Sequence, residues 1–311
     1  METILNYNEF KKQLIKDIEC KLPHYEVSTT QVYKNNGMKD AIIARYDNKD
    51  IVPTVYINEF YNDYIDNSNS NSYENLLQEV IKLITSCEDN ENKITLEGNK
   101  CKDVVSKLKD LEHNVLPRLI CTKTNTDMLK NLVHREFLDM SIYYVVQTEI
   151  NSGVSSIKIT NDMLKSLKQD VTEEQLYKWS IENIKKNDNF AIGISKLMYC
   201  LMFGLDTSNH RGYEKDDVMI VIQNDCGIYG ANNILNNDIL KEVADNINSD
   251  LFVLPSSIHE IIVVPTVIGL LQDELREMVK EVNCEKVDDE DRLTDTIYLY
   301  SRNTNKVTIV E

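Results

Sequence analysis

The side chains best suited to chemistry sit together in residues 251–265, Leu-Phe-Val-Leu-Pro-Ser-Ser-Ile-His-Glu-Ile-Ile-Val-Val-Pro. Ser256 and Ser257 offer hydroxyl nucleophiles, His259 a base and Glu260 a carboxylate, which are the groups of a Ser/His hydrolase. That chemistry needs the hydroxyl about 2.6–3.2 Å from the imidazole. Read as a strand, residues 257–264 alternate between two faces. Ser257, His259, Ile261 and Val263 point one way, and Ile258, Glu260, Ile262 and Val264 the other. His259 and Glu260 therefore face apart. Ser257 and His259 share a face, with Cα atoms roughly 6.5 Å apart at the usual strand rise. A hydrolase requires the turn at Pro255 to break this geometry. Without that break the serines bond local backbone and the stretch is a buried strand.

Three further residues are candidates for a pocket. Arg118 follows Pro117 in an apolar strand, and a half-buried arginine calls for a carboxylate partner or an anionic ligand; the structural pairing is the expected one. His134 and Asp139 carry groups able to join His259 if the fold brings them there. No Gly-rich phosphate loop, HExxH, EF-hand loop or GxSxG elbow occurs, and Gly227-Ile228-Tyr229-Gly230 supplies none of them. The seven cysteines include no CxxC pair and no zinc-ligand spacing with the five histidines. No cofactor and no metal are expected.

The net charge of −17 over 311 residues repels phosphate backbones, so direct nucleic-acid and membrane binding is disfavoured. It leaves open a cationic partner, or mimicry of nucleic acid toward a DNA-binding enzyme. Dispersed thiols suit a reducing compartment. The acidic start carries no apolar signal core, and no apolar run reaches the roughly 20 residues that span a bilayer. The expected location is the cytoplasm.

The elements that must position these groups follow from local patterns. Phe10, Leu14 and Ile18 mark a helix over 4–21. Strands over 25–33 and 38–46 flank Lys34-Asn35-Asn36-Gly37, where Asn-Gly predicts a type I′ hairpin turn. A third strand covers 52–57, with short helices after Asn58 and after Ser72. The polar run 87–93 is the expected boundary between an N-terminal lobe, 1–92, and a C-terminal lobe, 93–311. A charged helix is expected over 99–111, strands over 115–121 and 137–148, and an exposed acidic segment over 288–291. Thr172-Glu173-Glu174-Gln175 is a capping box with a Val171/Leu176 staple. Residues 189–205 fit helix and strand alike. A strand is expected over 218–223, an extended piece over 228–231 and a helix from Asn236 or Asn237 to Ile247. An amphipathic helix over 270–282 turns Leu271, Leu275, Met278 and Val282 inward. A closing hairpin pairs 296–300 with 306–310. Neighbouring strand pairs separated by single helices indicate an α+β class, antiparallel hairpins packed against helices in two lobes.

Several stretches together resemble an uncharacterised clostridial (Firmicutes) family of unknown function. They are residues 34–37, 53–58, 118–120, 137–139, 230–231, 278–283 and 295–300. The most specific is Leu254-Pro255-Ser256-Ser257-Ile258-His259-Glu260. Asn232-Asn233 and Trp179 depart from the pattern. The resemblance covers nearly the whole chain and brings no activity with it. The reading is a cytoplasmic, non-enzymatic binding or interaction module for a protein or small ligand. The alternatives are a Ser/His hydrolase and, behind it, an acidic nucleic-acid mimic.

Overall fold

A computed structural model describes residues 4–46, 54–66, 73–85, 107–150, 153–166 and 171–310. The chain divides into two compact units, Met1–Asn99 and Lys100–Glu311. The boundary expected at residue 92 lies outside the described residues, as do Asp47-Asn48, whose residue types predict a turn after the second strand, Pro53 near the start of the third expected strand, the helix cap Ser72 and most of the charged helix expected over 99–111.

In the N-terminal unit, α1 (Tyr7–Lys21) opens on a capping box in which Asn6 and Glu9 satisfy each other's backbone N–H. Phe10, Leu14 and Ile18 are buried, as their spacing predicts. β1 (Glu26–Lys34) and β2 (Gly37–Arg45) form the expected hairpin, but with a different turn. Lys34 pairs with Gly37, so the loop is Asn35-Asn36, and within it only Asn36 has positive φ, 61°. Asparagine tolerates the left-handed region, so Asn36 does what Gly37 was expected to do. β3 (Thr54–Tyr56) extends this sheet, and α2 (Ile57–Asp66) and α3 (Tyr73–Thr85) close its core around Phe10, Ile42, Leu77 and Val80.

In the C-terminal unit residues 107–109 are helical, and α4 (Leu111–Asn114), β4 (Val115–Cys121) and α5 (Thr126–Leu129) follow. β5 (His134–Phe137), β6 (Met140–Ile150) and β7 (Gly153–Lys158) follow. The single strand expected over 137–148 is thus broken: Phe137 pairs with Met140 across Leu138-Asp139. Asp139 accepts hydrogen bonds from Thr294, Thr296 and Tyr298, which holds the chain in that turn. β6 takes β4 along one edge and β5 and β7 end to end along the other.

After α6 (Asn161–Ser166), α7 (Glu173–Lys185) starts on the Thr172/Gln175 capping box with Leu176 buried beneath it. The ambiguous run 189–205 is strand then helix, β8 (Asn189–Gly193) and α8 (Ile194–Phe203), closed by Gly204 in the left-handed region. β9 (Ile220–Asn224) leads to a 3₁₀ turn, Gly230–Leu235, where an extended piece was expected. The Asn233 amide donates to Gly230 O and Asn232 N to Tyr229 O, and these short-range bonds curl the backbone.

α9 (Asn237–Ile247) is capped by Asn236 and buries Leu240, Val243, Ala244 and Ile247. β10 (Leu251–Leu254), β11 (Ile261–Pro265), α10 (Gln272–Glu285), β12 (Tyr298–Ser301) and β13 (Lys306–Ile309) complete the unit. The six-stranded sheet runs β13-β12-β10-β11-β9-β8, and every strand pairing among the described residues is antiparallel. The fold is α+β.

One core joins the two sheets of this unit: Val115, Leu119, Ile142 and Tyr144 from the four-stranded sheet meet Ile222, Val253, Ile261 and Val263 from the six-stranded one. On the far face of the larger sheet, α10 packs Leu275 and Val279 against Phe252, Leu254 and Val264. Its buried stripe is Leu275, Val279 and Asn283; Leu271, Met278 and Val282 are exposed, against expectation. Leu271 lies outside the helix as its N-cap. Asn283 wins a buried place because its amide donates to Thr294 O and Asp295 Oδ1.

Candidate functional site: a buried arginine in an asparagine-lined cavity

β4 turns Arg118 to the face opposite Val115 and Leu119, beside its register partner Tyr143, where the residue is only 3 % exposed. Its Nη1 donates to Pro117 O at 3.0 Å and its Nη2 to Gln147 Oε1 at 2.9 Å. The guanidinium carbon lies over the Tyr229 ring, 3.9 Å from the centroid, a desolvated cation–π contact worth about 2 kcal/mol. Its Nε–H is buried and meets no acceptor, and no carboxylate pairs with Arg118 among the described residues. Burial pushes the guanidinium below its ordinary pKa, opposed only by the phenols of Tyr143 and Tyr229 and the Cys226 thiol. The carboxylate partner expected from sequence is not found among the described residues.

Arg118 forms one wall of a cavity of about 220 Å³. Four separated segments supply the rest of its polar lining, with Leu116, Ile184 and Ile228 between them: Gln147 from β6, Asn187, Asp188 and Asn189 after α7, Asn224, Asp225 and Cys226 at the end of β9, and Tyr229, Asn232 and Asn233 at the 3₁₀ turn. Asn233 Oδ1 is a second buried polar atom without a partner. At the mouth, Arg211 grips Asp188 with two hydrogen bonds, at 2.5 and 2.7 Å, and lies 3.4 Å from Asp225. Tyr229 sits in the left-handed region, φ 58° and ψ 25°. For an aromatic residue that costs about 1–3 kcal/mol and persists only where the surroundings impose it. Among the described residues no cluster of His, Cys, Asp and Glu is arranged to hold a metal ion.

The stretch singled out by sequence lies behind this wall. Residues 255–260 are not strand; β11 starts at Ile261. Pro255 lacks the N–H that would continue the ladder. The backbone instead turns to residues 291–293: Ile258 N donates to Asp291 O, Leu293 N donates to Ser256 O, and Ser257 bridges Arg292. Ser257 Oγ accepts from His259 N at 2.9 Å, a local turn bond that does not engage the imidazole. His259 Nε2 pairs with Asp291 Oδ2 at 3.2 Å, so Asp291 is half-buried rather than part of an exposed acidic run. His259 Nδ1 is buried without a partner. Burial raises the Glu260 pKa, with His259 and the Ser257 hydroxyl acting the other way.

A protein-family model described as Family of unknown function (DUF5688) matches residues 7–302. The chain belongs to that family. No curated protein and no solved structure matches it.

Of the residues chosen from sequence, this DUF5688 chain brings Ser257, His259 and Glu260 together, with Ser256 buried alongside. It brings Arg118 to them through Tyr229, whose ring centroid is 6.4 Å from that of His259. His134 is bonded instead to Leu132 O and Asp139 to the 294–298 segment. Neither hydrogen-bonds to His259 among the described residues. Sequence reasoning missed the cavity's asparagines and Tyr229. Their one signal was the recurrence of Asn/Asp pairs at 187–189, 224–225 and 232–233, the last having registered only as a departure from the family pattern. No described helix is long and apolar enough to cross a membrane.

Proposed function

We propose that the protein is a non-enzymatic binding module of the DUF5688 family whose site is the Arg118 cavity, and that it takes a small ligand with an anionic group. One observation carries the reading: a guanidinium almost wholly removed from water, with a donor that no described residue accepts. Elsewhere in the same unit a structural arginine behaves differently, as Arg135 clamps Glu173 through Nε and Nη2, both at 2.7 Å. An arginine kept in the interior without a carboxylate is costly to the fold and suits a site whose counter-charge arrives with the ligand. The small volume of the cavity favours a small ligand over a macromolecular partner. Melting curves and titration calorimetry across a panel of small organic anions and carboxylate-bearing zwitterions test this; a well-folded protein indifferent to all of them removes it.

A second reading, a Ser/His hydrolase, is supported by the His259–Asp291 pair and by the unpartnered Nδ1 of a histidine whose backbone N–H meets Ser257 Oγ. Asp291 then takes the orienting part first given to Asp139 or Glu260. A serine-directed probe that labels wild type and Ser257→Ala alike, or neither, dismisses it. The nucleic-acid mimic rests on the charge of −17 alone; it predicts carboxylates in a stripe spaced like phosphates, and an even scatter would dismiss it. The cytoplasmic location, the lobes 1–92 and 93–311, the clostridial kinship and the signature standing of residues 254–260 belong to the same proposal. They are carried by the dispersed thiols, the polar run and the stretches quoted from the sequence.

A further inference from the structure

Taking the Arg118 cavity as a binding site, we infer that its ligand is a small zwitterion of free-amino-acid size, its carboxylate on Arg118 and its ammonium held by Asn233 Oδ1 and the rim carboxylates. The charge count points there first. Among the described residues Arg118 is the one cation lining the cavity, and Arg211 is shared by two rim carboxylates, Asp188 and Asp225. Two positive and two negative groups cancel, so a ligand of zero net charge leaves the site balanced. A carboxylate matches a single guanidinium fork. A phosphate monoester brings nearly two negative charges to that one fork and to a rim that repels it. The field of a chain of net charge −17 opposes a net anion and leaves a zwitterion unhindered.

The unmet hydrogen bonds point the same way. Arg118 Nε–H requires an acceptor. Asn233 Oδ1 requires a donor, and its orientation is fixed because Nδ2 already donates to Gly230 O at 3.0 Å. Both atoms are closed off from solvent, so a ligand meets them only as the side chains around them give way; a simple carboxylate then answers only the first and a simple amine only the second. A volume of about 220 Å³ holds about seven water-sized groups at about 30 Å³ each, the scale of an α-amino acid.

Cys226 lines the cavity and is exposed, which gives a local readout. The full-length protein is alkylated with iodoacetamide in the presence of glycine, L-alanine, L-glutamine, acetate, ethanolamine or inorganic phosphate, and each cysteine is followed by peptide mass spectrometry. At least one amino acid, at roughly ten times its dissociation constant, is expected to slow Cys226 alkylation about tenfold and to raise the melting temperature. Alkylation of the exposed Cys20 and Cys284 should not change. Arg118→Met should abolish the protection. Asp225→Asn, a change on an exposed rim residue that leaves folding intact, should weaken amino-acid protection about two- to fivefold while improving that by acetate. Acetate or phosphate protecting wild type as well as the amino acids overturns the zwitterion and leaves the cavity as a binding site. Protection that survives Arg118→Met in a folded protein overturns the assignment to this arginine. No protection by any probe overturns both.

Discussion

Gly230 begins the turn that forms the inner wall of the cavity, and replacing it with alanine tests whether that wall is as tightly built as its geometry implies. A Cβ at this position would run into His259 O, far inside contact distance, and would lie 3.1 Å from Gln223 Cα and 3.2 Å from Asn224 N. All three obstacles are backbone, from β9 and from the His259 loop, so no rotamer change relieves them. Space, not backbone conformation, demands glycine here, since Gly230 does not have positive φ. Relief requires the His259 loop to move off the turn, which breaks the bond from Ala231 N to Ile258 O. Overpacking costs about 1–3 kcal/mol and the lost hydrogen bond about 1 kcal/mol, together about 2–4 kcal/mol. For a unit of this size each kcal/mol moves the melting temperature by about 2–4 °C, so the expected fall is about 4–16 °C. Gly193→Ala is the control. There the obstacle is the Asp217 side chain, with Cγ at 2.7 Å, which can swing into solvent at the cost of one exposed bond from Glu214 N. Thermal denaturation followed by circular dichroism compares the two. If Gly230→Ala melts within a degree or two of wild type, or no lower than Gly193→Ala, the close approach between loop and turn is wrong.

Arg118→Met removes a buried charge that has no counter-charge, so the melting temperature should stay near or above that of wild type. A paired interior arginine would cost about 3–5 kcal/mol on replacement, and a loss of that size in chemical denaturation would mean that a carboxylate partner exists after all. Glu260 has a pKa raised by burial, so the folded state holds its proton above the ordinary value of 4.5 and stability falls as pH rises through the folded pKa. Glu260→Gln should therefore melt higher than wild type above that window and equally below it; a constant offset from pH 4 to 8 would contradict this. Glu173 has the opposite sign. Burial raises its pKa, but hydrogen bonds from Arg135 and Tyr144 outweigh that and set it below normal. Its contribution is complete above 4.5 and is lost as pH falls through the folded value. Glu173→Gln should cost about 1–2 kcal/mol at neutral pH and little in acid, as measured by urea denaturation at both.

What the sequence made legible was local. The capping boxes, the stripes of α1 and α9 and the hairpin of β1 and β2 rest on residues a few positions apart, where side-chain period and capping chemistry act directly. Errors appeared where a distant segment decided the outcome. Residues 255–260 look extended by composition, yet their backbone partners are residues 291–293, and that pairing replaces the strand. The α10 face was misread because apolarity ranked Met278 above Asn283, while two hydrogen bonds make the asparagine the buried one. The cavity was invisible for the same reason. Its polar lining comes from Gln147 and from asparagines near 187, 224 and 232, and nothing local states that these meet around Arg118.

Two features at the site break ordinary rules within van der Waals reach of each other: a charge buried without an opposite charge, and a tyrosine held in a glycine-like conformation beneath it. Stability alone favours neither. Methionine in place of Arg118 would remove the desolvation cost, and glycine or asparagine at 229 would remove the backbone strain. Sequences that specify one structure are locally consistent nearly everywhere, and the exceptions concentrate where function requires them. Here the exceptions meet on a wall shared with the stretch that sequence alone had marked. Tyr229 supports the guanidinium on one side, and Gly230, next in the chain, packs against His259 O on the other. Any displacement of the His259 loop is therefore transmitted by one peptide unit to the ring on which Arg118 rests. A ligand that pulls on that guanidinium should in turn tighten the loop, and slower amide exchange at His259 on ligand binding would report that linkage.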